Sequence, residues 1–417
     1  MHRRRFLSSA AGILGGAVLQ SSTPVNLVRP LANSGVRITD VRANIARVHR
    51  PYVIVRITTD AGIMGIGDGS LEYNPLSVVQ AVEELKYLLI GQDPTLIEHH
   101  WQRMYRHSFY RAGPVLMSAF GGIDTALWDI TGKIYNQPVY KLLGGPVRNK
   151  IRMYIHAGGD TTDGLIETAQ LAYEAGYRGV KTSPPGPVSL SENPAFFKNF
   201  ITRLEKLRAV MGDDFAIMVD CHGRLSPTVA SILATELEPL HLLFLEEPVL
   251  PENPEALTKV AAESTTPIGM GRRIHGLFGF REYFENNLID VAQPGMSTCG
   301  GITQMQKIAA MAEAYYISVA PTNISSPIST VACMHVDAAI PNFLIQEVPG
   351  RGWGNPRRLE ALQDFAERPV DGYLQLPDKP GLGVELNEEI FEKYPYEGPS
   401  QLPPREMFYP DSSVADR

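Results

Sequence analysis

Cysteine is scarce in this chain: three occur among 417 residues. Cys221, Cys299 and Cys333 are far apart, odd in number, and none forms a Cys-x-x-Cys pair. That excludes a disulfide framework and a thiolate metal cluster, and leaves buried free thiols as the expectation. No apolar run is long enough to span a membrane. Positive charge is not in excess: 38 Lys and Arg stand against 45 Asp and Glu, a net charge of −7 with a pI near 5.8. With no basic stripe, nucleic acid is excluded as a partner. No Gly-x-Gly-x-x-Gly follows a first strand, so a dinucleotide-binding fold has no support. What is present is ordinary globular composition, 44% hydrophobic and 20% charged. The length suits two domains, or one barrel of roughly 250 residues with an attached module.

The N-terminus stands apart. His2-Arg3-Arg4-Arg5-Phe6-Leu7-Ser8 resembles the twin-arginine export pattern, and an Ala/Gly-rich apolar segment follows through Leu19. A basic start with a short hydrophobic region reads as a signal segment, the alternative being a chance basic start. Residues 1–33 are therefore set aside from the fold, and an exported or periplasmic location is the expectation.

Residues 34–148 read as a small α+β module. Strands are expected at Val36–Val48, Tyr52–Thr59 and Ile63–Gly67, with a turn at Asp60-Ala61-Gly62. Val78, Val79, Val82, Leu85, Leu88 and Leu89 then recur at three- and four-residue steps, a helical period. Further helices are expected at 95–107 and 115–135. The module ends near Leu142-Leu143-Gly144-Gly145-Pro146, where helix-ending glycines precede proline.

From Ile151 short strands alternate with amphipathic helices. Strands are expected at 151–157, 178–182, 215–220, 242–246, 267–271, 289–293, 316–320 and 343–347. Helices fall near 163–175, 193–211, 227–237, 254–263, 277–287, 301–314 and 327–339. The fold class is therefore α/β: a modified TIM barrel of eight strands and seven helices over 149–348, with the N-terminal α+β domain as a cap. Eight units make a doubly wound open sheet the weaker alternative. Residues 349–417, rich in proline and charge, form an extension expected to pack on the cap, with a strand-like run at Leu382–Leu386.

Three apolar runs at the centre of the barrel end in charge: Ile217-Met218-Val219-Asp220-Cys221-His222, Leu242–Glu247, and Pro267–Arg273. Their spacing is regular, 246 − 220 = 26 and 272 − 246 = 26, one strand–helix–strand unit each. Polar groups at the ends of successive parallel strands are how such a barrel builds a site. In order the mouth carries Lys181, Asp220 with His222, Glu246, Arg272, Gly295, Thr322 and Glu347. One carboxylate at a strand end is more often a helix cap or an ion-pair partner. Seven strand ends, several ionisable, read as a site. By strand alternation Asp220 and His222 face the same way, and Glu246 and Glu247 opposite ways.

Here a resemblance becomes specific. Trp101–Tyr105 with Phe109–Pro114, Ile123-Asp124-Thr125-Ala126-Leu127-Trp128-Asp129-Ile130, Leu143-Gly144-Gly145, Asp220–Arg224, Glu246–Val249, Gly300-Gly301-Ile302, Gln346-Glu347 and Gly381–Glu385 follow one another in a known order. The chain resembles the enolase superfamily in its mandelate racemase/muconate lactonizing enzyme branch, and most the galactonate and mannonate (sugar acid) dehydratases. The similarity runs from about 37 to 390. It implies removal of a proton alpha to a carboxylate, with Mg²⁺ stabilising the enediolate. It also implies a small sugar-acid ligand and, as in relatives, a homo-oligomer.

Carried over by motif, Asp220 and Glu246 are the first two metal ligands, His222 the acid for the leaving hydroxyl, and Glu347 a partner of the substrate carboxylate. Lys181 takes the first lysine position of the Lys-x-Lys base motif, with Ser183 at the second. Tyr73, Tyr110 and Arg111, in loops 67–75 and 106–114, are candidates for substrate contact. Three positions depart. Arg272 stands where the third metal ligand belongs, and no acidic residue lies between Ile268 and Arg281 to replace it. Thr322 and Gly295 stand where the dehydratases carry their His–Asp base pair. An arginine between two carboxylates neutralises much of what a divalent ion would. Arg272 is therefore expected between Asp220 and Glu246, in place of Mg²⁺.

Three readings follow: a sugar-acid hydro-lyase, a catalytically silent protein that binds a small carboxylate or a partner, or a metal-independent chemistry. In the last, Arg272 and Arg273 grip the carboxylate and Lys181 or His222 handles the proton. The sequence leaves all three open.

Overall fold

The computed structural model describes residues 34–48, 50–351, 356–399 and 406–416. The segment expected to direct export, residues 1–33, lies outside them. Three antiparallel strands open the chain, β1 (Ile38–Arg47), β2 (Pro51–Thr59) and β3 (Met64–Asp68), paired in that order. Three main helices follow: α1 (Pro75–Leu85), α2 (Ile97–His107) and α3 (Pro114–Ile134), with a single turn α4 (Val139–Leu142) after them. The α3 helix lies directly on the sheet because the facing positions are glycine. A Cβ on Gly67 would sit 1.9 Å from the Gly122 carbonyl oxygen. Any side chain there would push helix and strand apart.

The barrel then alternates as expected. β4 (Lys150–His156), β5 (Gly179–Thr182), β6 (Ala216–Asp220), β7 (Phe244–Glu246), β8 (Ile268–Met270), β9 (Val291–Ala292), β10 (Ser318–Val319) and β11 (Gln346–Arg351) are joined by seven helices. These are α5 (Thr162–Glu174), α6 (Pro194–Met211), α7 (Pro227–Glu236), α8 (Glu255–Glu263), α9 (Gly276–Glu285), α10 (Ile302–Glu313) and α11 (Pro327–Ala339). The strands pair in parallel in the order β10-β9-β8-β7-β6-β5-β4-β11. A bridge from Val319 to Phe343 closes the ring. Helix starts are written locally: the Asn193 side chain accepts from the Ala195 and Phe196 N–H groups, and Ser226 from Val229, each just before a proline at the first helical position.

Inside the barrel, Tyr154, Ala216, Met218, Phe244, Val291, Ala320 and Ile345 form one apolar plug. Strand side chains alternate with a period of two, so the residues two positions on face the same interior one layer higher. Those residues are Asp220 after Met218, Glu246 after Phe244, Gln293 after Val291, Thr322 after Ala320, and Glu347 after Ile345. The plug is the floor of the site, and its alternation aims the polar layer into the mouth.

Cap and barrel are locked by motif residues of α2 and α3. Asp124 accepts from the Thr303 N–H at 3.0 Å and its hydroxyl at 2.6 Å, while Trp101 Nε1 donates to the Gly300 carbonyl at 2.9 Å. Asp129 accepts from Ile66 N–H at 3.0 Å and from Leu382 N–H at 2.8 Å, tying cap, helix and extension together. The extension contributes β12 (Tyr373–Gln375), antiparallel to β4, and α12 (Ile390–Lys393); β13 (Met407–Phe408) pairs with β14 (Val414–Ala415). It reaches the cap through Arg47 N–H to the Tyr394 carbonyl, 2.8 Å, and an Arg56–Glu388 ion pair. One expected strand is absent: Leu382–Leu386 is turn and single bridge, since Gly381 and Gly383 adopt positive φ and break the extended run. Cys221, Cys299 and Cys333 are free and buried, as their scarcity implied. Among the described residues no helix is long and apolar enough to cross a membrane.

Candidate active site

Lys181, Asp220, Glu246 and Glu347 meet at the barrel mouth, each no more than 1% exposed. Lys181 Nζ donates to Glu246 Oε2 at 2.7 Å, and lies 3.2 Å from Glu347 Oε1 and 3.8 Å from Asp220 Oδ2. The ammonium is therefore the cation among the three carboxylates. Burial works against its charge, but Glu246 and Glu347 outweigh that and hold the amine well above the ordinary lysine range.

The carboxylates differ in state. Burial and the neighbouring Asp220 push Glu246 up to about 8, while Lys181 works the other way. Its Oε2 accepts from both Lys181 and Gln293 Nε2, each at 2.7 Å, while the buried Oε1 has no hydrogen-bond partner. Burial raises Glu347 too, but Lys181 and His156 overcome it and hold the carboxyl well below its usual range. Thr322 Oγ1 donates to Glu347 Oε2 at 2.5 Å, Asn323 N–H donates at 2.7 Å, and His156 bonds the other oxygen. Asp220 is likewise held low, burial being outweighed by His222, Lys181 and Arg272 together.

Asp220 and His222 do meet, though not by strand alternation. β6 ends at Asp220, and His222 adopts φ +55°. Its N–H donates to Asp220 Oδ1 at 2.8 Å, an Asx-type turn that brings its Nε2 to 3.1 Å from Oδ2. Burial drives the imidazole down to about 4, with Arg272 and Arg224 adding to the effect against Asp220. At neutral pH it is uncharged.

The expectation for Arg272 is overturned. Its Nη2 bonds Glu72 Oε2 at 2.8 Å, on the cap loop after β3, instead of lying between Asp220 and Glu246. Two reasons are visible. Gly271 bends the chain at φ +152°, with Gln293 backbone where a Cβ would be, and Lys181 already fills the space among the carboxylates. Arg273 turns elsewhere, to Glu247 Oε2 at 3.2 Å and the His222 carbonyl at 2.5 Å. Glu246 and Glu247 thus face opposite ways, as the alternation required. Tyr110 is 91% exposed, and Arg111 lies over the Tyr105 ring, 5.5 Å from its centroid.

Sequence reasoning missed His156, Gln293 and Glu72. The first two were findable, because each lies two residues beyond an inward apolar position of its strand. Glu72 sits on a loop, and no sequence period points at it.

Mg²⁺ does not fit this donor set. Magnesium needs a near-octahedral oxygen shell at about 2.0–2.1 Å. Here the Lys181 ammonium lies among the carboxylates, and the guanidinium charge of Arg272 already reaches Asp220. A divalent ion about 4 Å from that ammonium would be repelled by about 8 kcal/mol at an effective dielectric constant of 20. Among the described residues no three His, Cys, Asp or Glu side chains are disposed to hold a metal ion.

A capped parallel barrel with ionisable side chains at successive strand ends places the candidate site at the barrel mouth. Comparison with known proteins agrees. The N-terminal domain family of mandelate racemase and muconate lactonizing enzyme matches residues 34–144, and the enolase C-terminal domain-like family matches residues 164–390. This chain belongs to the enolase superfamily, in its mandelate racemase/muconate lactonizing enzyme branch. An enolase from Pantoea ananatis, solved with bound d-gluconate and Mg, is 32% identical, with 87% of this chain and 95% of that one covered and a TM-score of 0.80. An enolase-superfamily member from Salmonella Typhimurium is 31% identical over 86% and 98% of the two chains, TM-score 0.80. A mandelate racemase/muconate lactonizing enzyme-like protein from Rubrobacter xylanophilus is 31% identical over 87% and 98%, TM-score 0.81.

Proposed function

We propose that this protein binds a sugar acid of the aldonate class at its barrel mouth and does not run the magnesium-assisted dehydration of its relatives. The observation that carries the reading is Lys181 Nζ, 2.7 and 3.2 Å from Glu246 and Glu347, in the place of a divalent ion. The proton-handling groups point the same way. A lysine held charged is no base, and a histidine held neutral is no strong acid at neutral pH. Thr322 has no basic group and is spent on Glu347. The sugar-acid class is supported by the gluconate in the Pantoea relative and by the retention here of Asp220, His222, Glu246 and Glu347. The reading includes export, supported by the Arg3-Arg4 pair and the apolar segment through Leu19.

Calorimetric titration with an aldonate panel, with and without EDTA, tests the binding half. Affinity for at least one aldonate that EDTA leaves unchanged is expected. Proton NMR in D₂O tests the other half, and loss of the alpha-proton signal or formation of a dehydrated product with added Mg²⁺ would overturn the reading. Fractionation of cells expressing wild type and an Arg3→Lys/Arg4→Lys variant tests export: the variant should stay inside.

A further inference from the structure

Glu72 holds a position that a ligand would be expected to hold. Its two carboxylate oxygens each face a different guanidinium: Oε1 is paired with Arg50 of the cap, and Oε2 lies 2.8 Å from Arg272 Nη2 of the barrel. Two guanidiniums on one carboxylate make a strong, directional anion seat. The three side chains are 22–26% exposed, so the seat is reachable from solvent. It also borders the mouth, because the charge of Arg272 acts on both Asp220 and Glu347.

The loop that delivers Glu72 is fixed at its base and bent at its tip. Buried Asp68 accepts from the Ser70 and Ser326 N–H groups, both at 2.7 Å, and the Ser70 carbonyl accepts from Ser297 Oγ at 3.0 Å. Beyond these anchors, Tyr73 adopts φ +69°, a left-handed conformation that disfavours a tyrosine. Release of Glu72 therefore leaves cap and barrel joined through Asp68 and Ser70.

We propose that Arg50 and Arg272 form the carboxylate seat of the ligand, and that Glu72 is its built-in competitor, displaced when a ligand carboxylate enters. The ligand class, a sugar acid, rests on the function proposed above; the seat and its competitor do not. A competitor that fills the seat most of the time weakens apparent affinity by the fraction of molecules left open.

The test is calorimetric titration of the full chain with two probes, gluconate and the hydroxyl-free propionate, on wild type, Glu72→Gln and Glu72→Gln/Arg272→Gln. Glu72→Gln should tighten both carboxylates by about tenfold, and the second substitution should cancel the gain. In wild type, added gluconate should speed hydrogen exchange of the 71–74 amides. If Glu72→Gln tightens propionate but gluconate gains nothing over it, the seat stands and the sugar-acid reading fails. If wild type binds gluconate and Glu72→Gln leaves both affinities and the exchange unchanged, the seat fails and the sugar-acid reading stands. If neither probe binds any variant, both fail. Glu72→Asp, which keeps the charge on a shorter arm, should give an intermediate gain and guards against a folding defect in Glu72→Gln.

Discussion

Lys181 Nζ and Glu246 Oε2 lie 2.7 Å apart, both side chains at 1% exposure. Breaking a buried ion pair by removing one partner leaves the other charges uncompensated, at a cost of about 3–5 kcal/mol. Lys181→Met should therefore lose stability in that range by urea unfolding, and millimolar Mg²⁺ should recover part of it. Wild type should show no such shift. A wild-type melting temperature that climbs with Mg²⁺ would contradict the misfit between metal and site.

His222 gives a pH signature. Its folded pKa, about 4, lies below the ordinary 6.5. A depressed pKa means that the stabilisation is present above about 6.5 and is lost as pH falls through about 4. His222→Asn preserves the left-handed backbone, which asparagine tolerates. The variant should show a shallower acid loss of stability between those values, by at most about 3 kcal/mol. Ring-proton NMR of the wild type should place the imidazole titration near pH 4; a midpoint near 6.5 would refute the assignment of a neutral histidine.

Gly271 has no room for a side chain. A Cβ would approach the Gln293 backbone carbonyl carbon at 2.6 Å, and φ is +152°. The close atoms are main chain and cannot swing away. Gly271→Ala should destabilise by about 1–3 kcal/mol in denaturant unfolding. Because Gln293 also donates to Glu246, the substitution should weaken gluconate binding as well.

Asp68 bridges cap loop and barrel through the Ser70 and Ser326 N–H groups. Asp68→Ala would leave those buried donors unpaired, each costing about 1–3 kcal/mol. Proteolysis within 69–74 should accelerate in the variant while the barrel helices stay protected. Equal protection of the loop in both proteins would show that the anchor is dispensable.

Much of the architecture was legible in residue order because strand and helix periods are local. The two-residue alternation places Met218 and Asp220, or Phe244 and Glu246, on one face, and the Asn193-Pro194 and Ser226-Pro227 pairs mark helix starts without reference to anything distant. The same locality explains the misreading at Leu382–Leu386, where two glycines at positive φ override an extended-looking pattern. Motif positions also told which side chains line the mouth. Asp220, Glu246, Glu347 and Lys181 meet there.

The partnerships inside the mouth were decided by tertiary structure alone. The sequence places Arg272 at the end of a barrel strand beside two acid-bearing ones, and from that a guanidinium among the acids was expected. Yet Arg272 reaches out to Glu72, 200 residues earlier in the chain, and Lys181 takes the central place. Which cation neutralises which carboxylate depends on the distances among several strand ends and a cap loop, and Coulomb energy falls with distance through space and is blind to separation along the chain. The sequence by itself therefore determined the barrel and the polar layer at its mouth. Only the fold decided that the counter-charge to Glu246 and Glu347 is a buried lysine, and that the arginine was left to hold the cap.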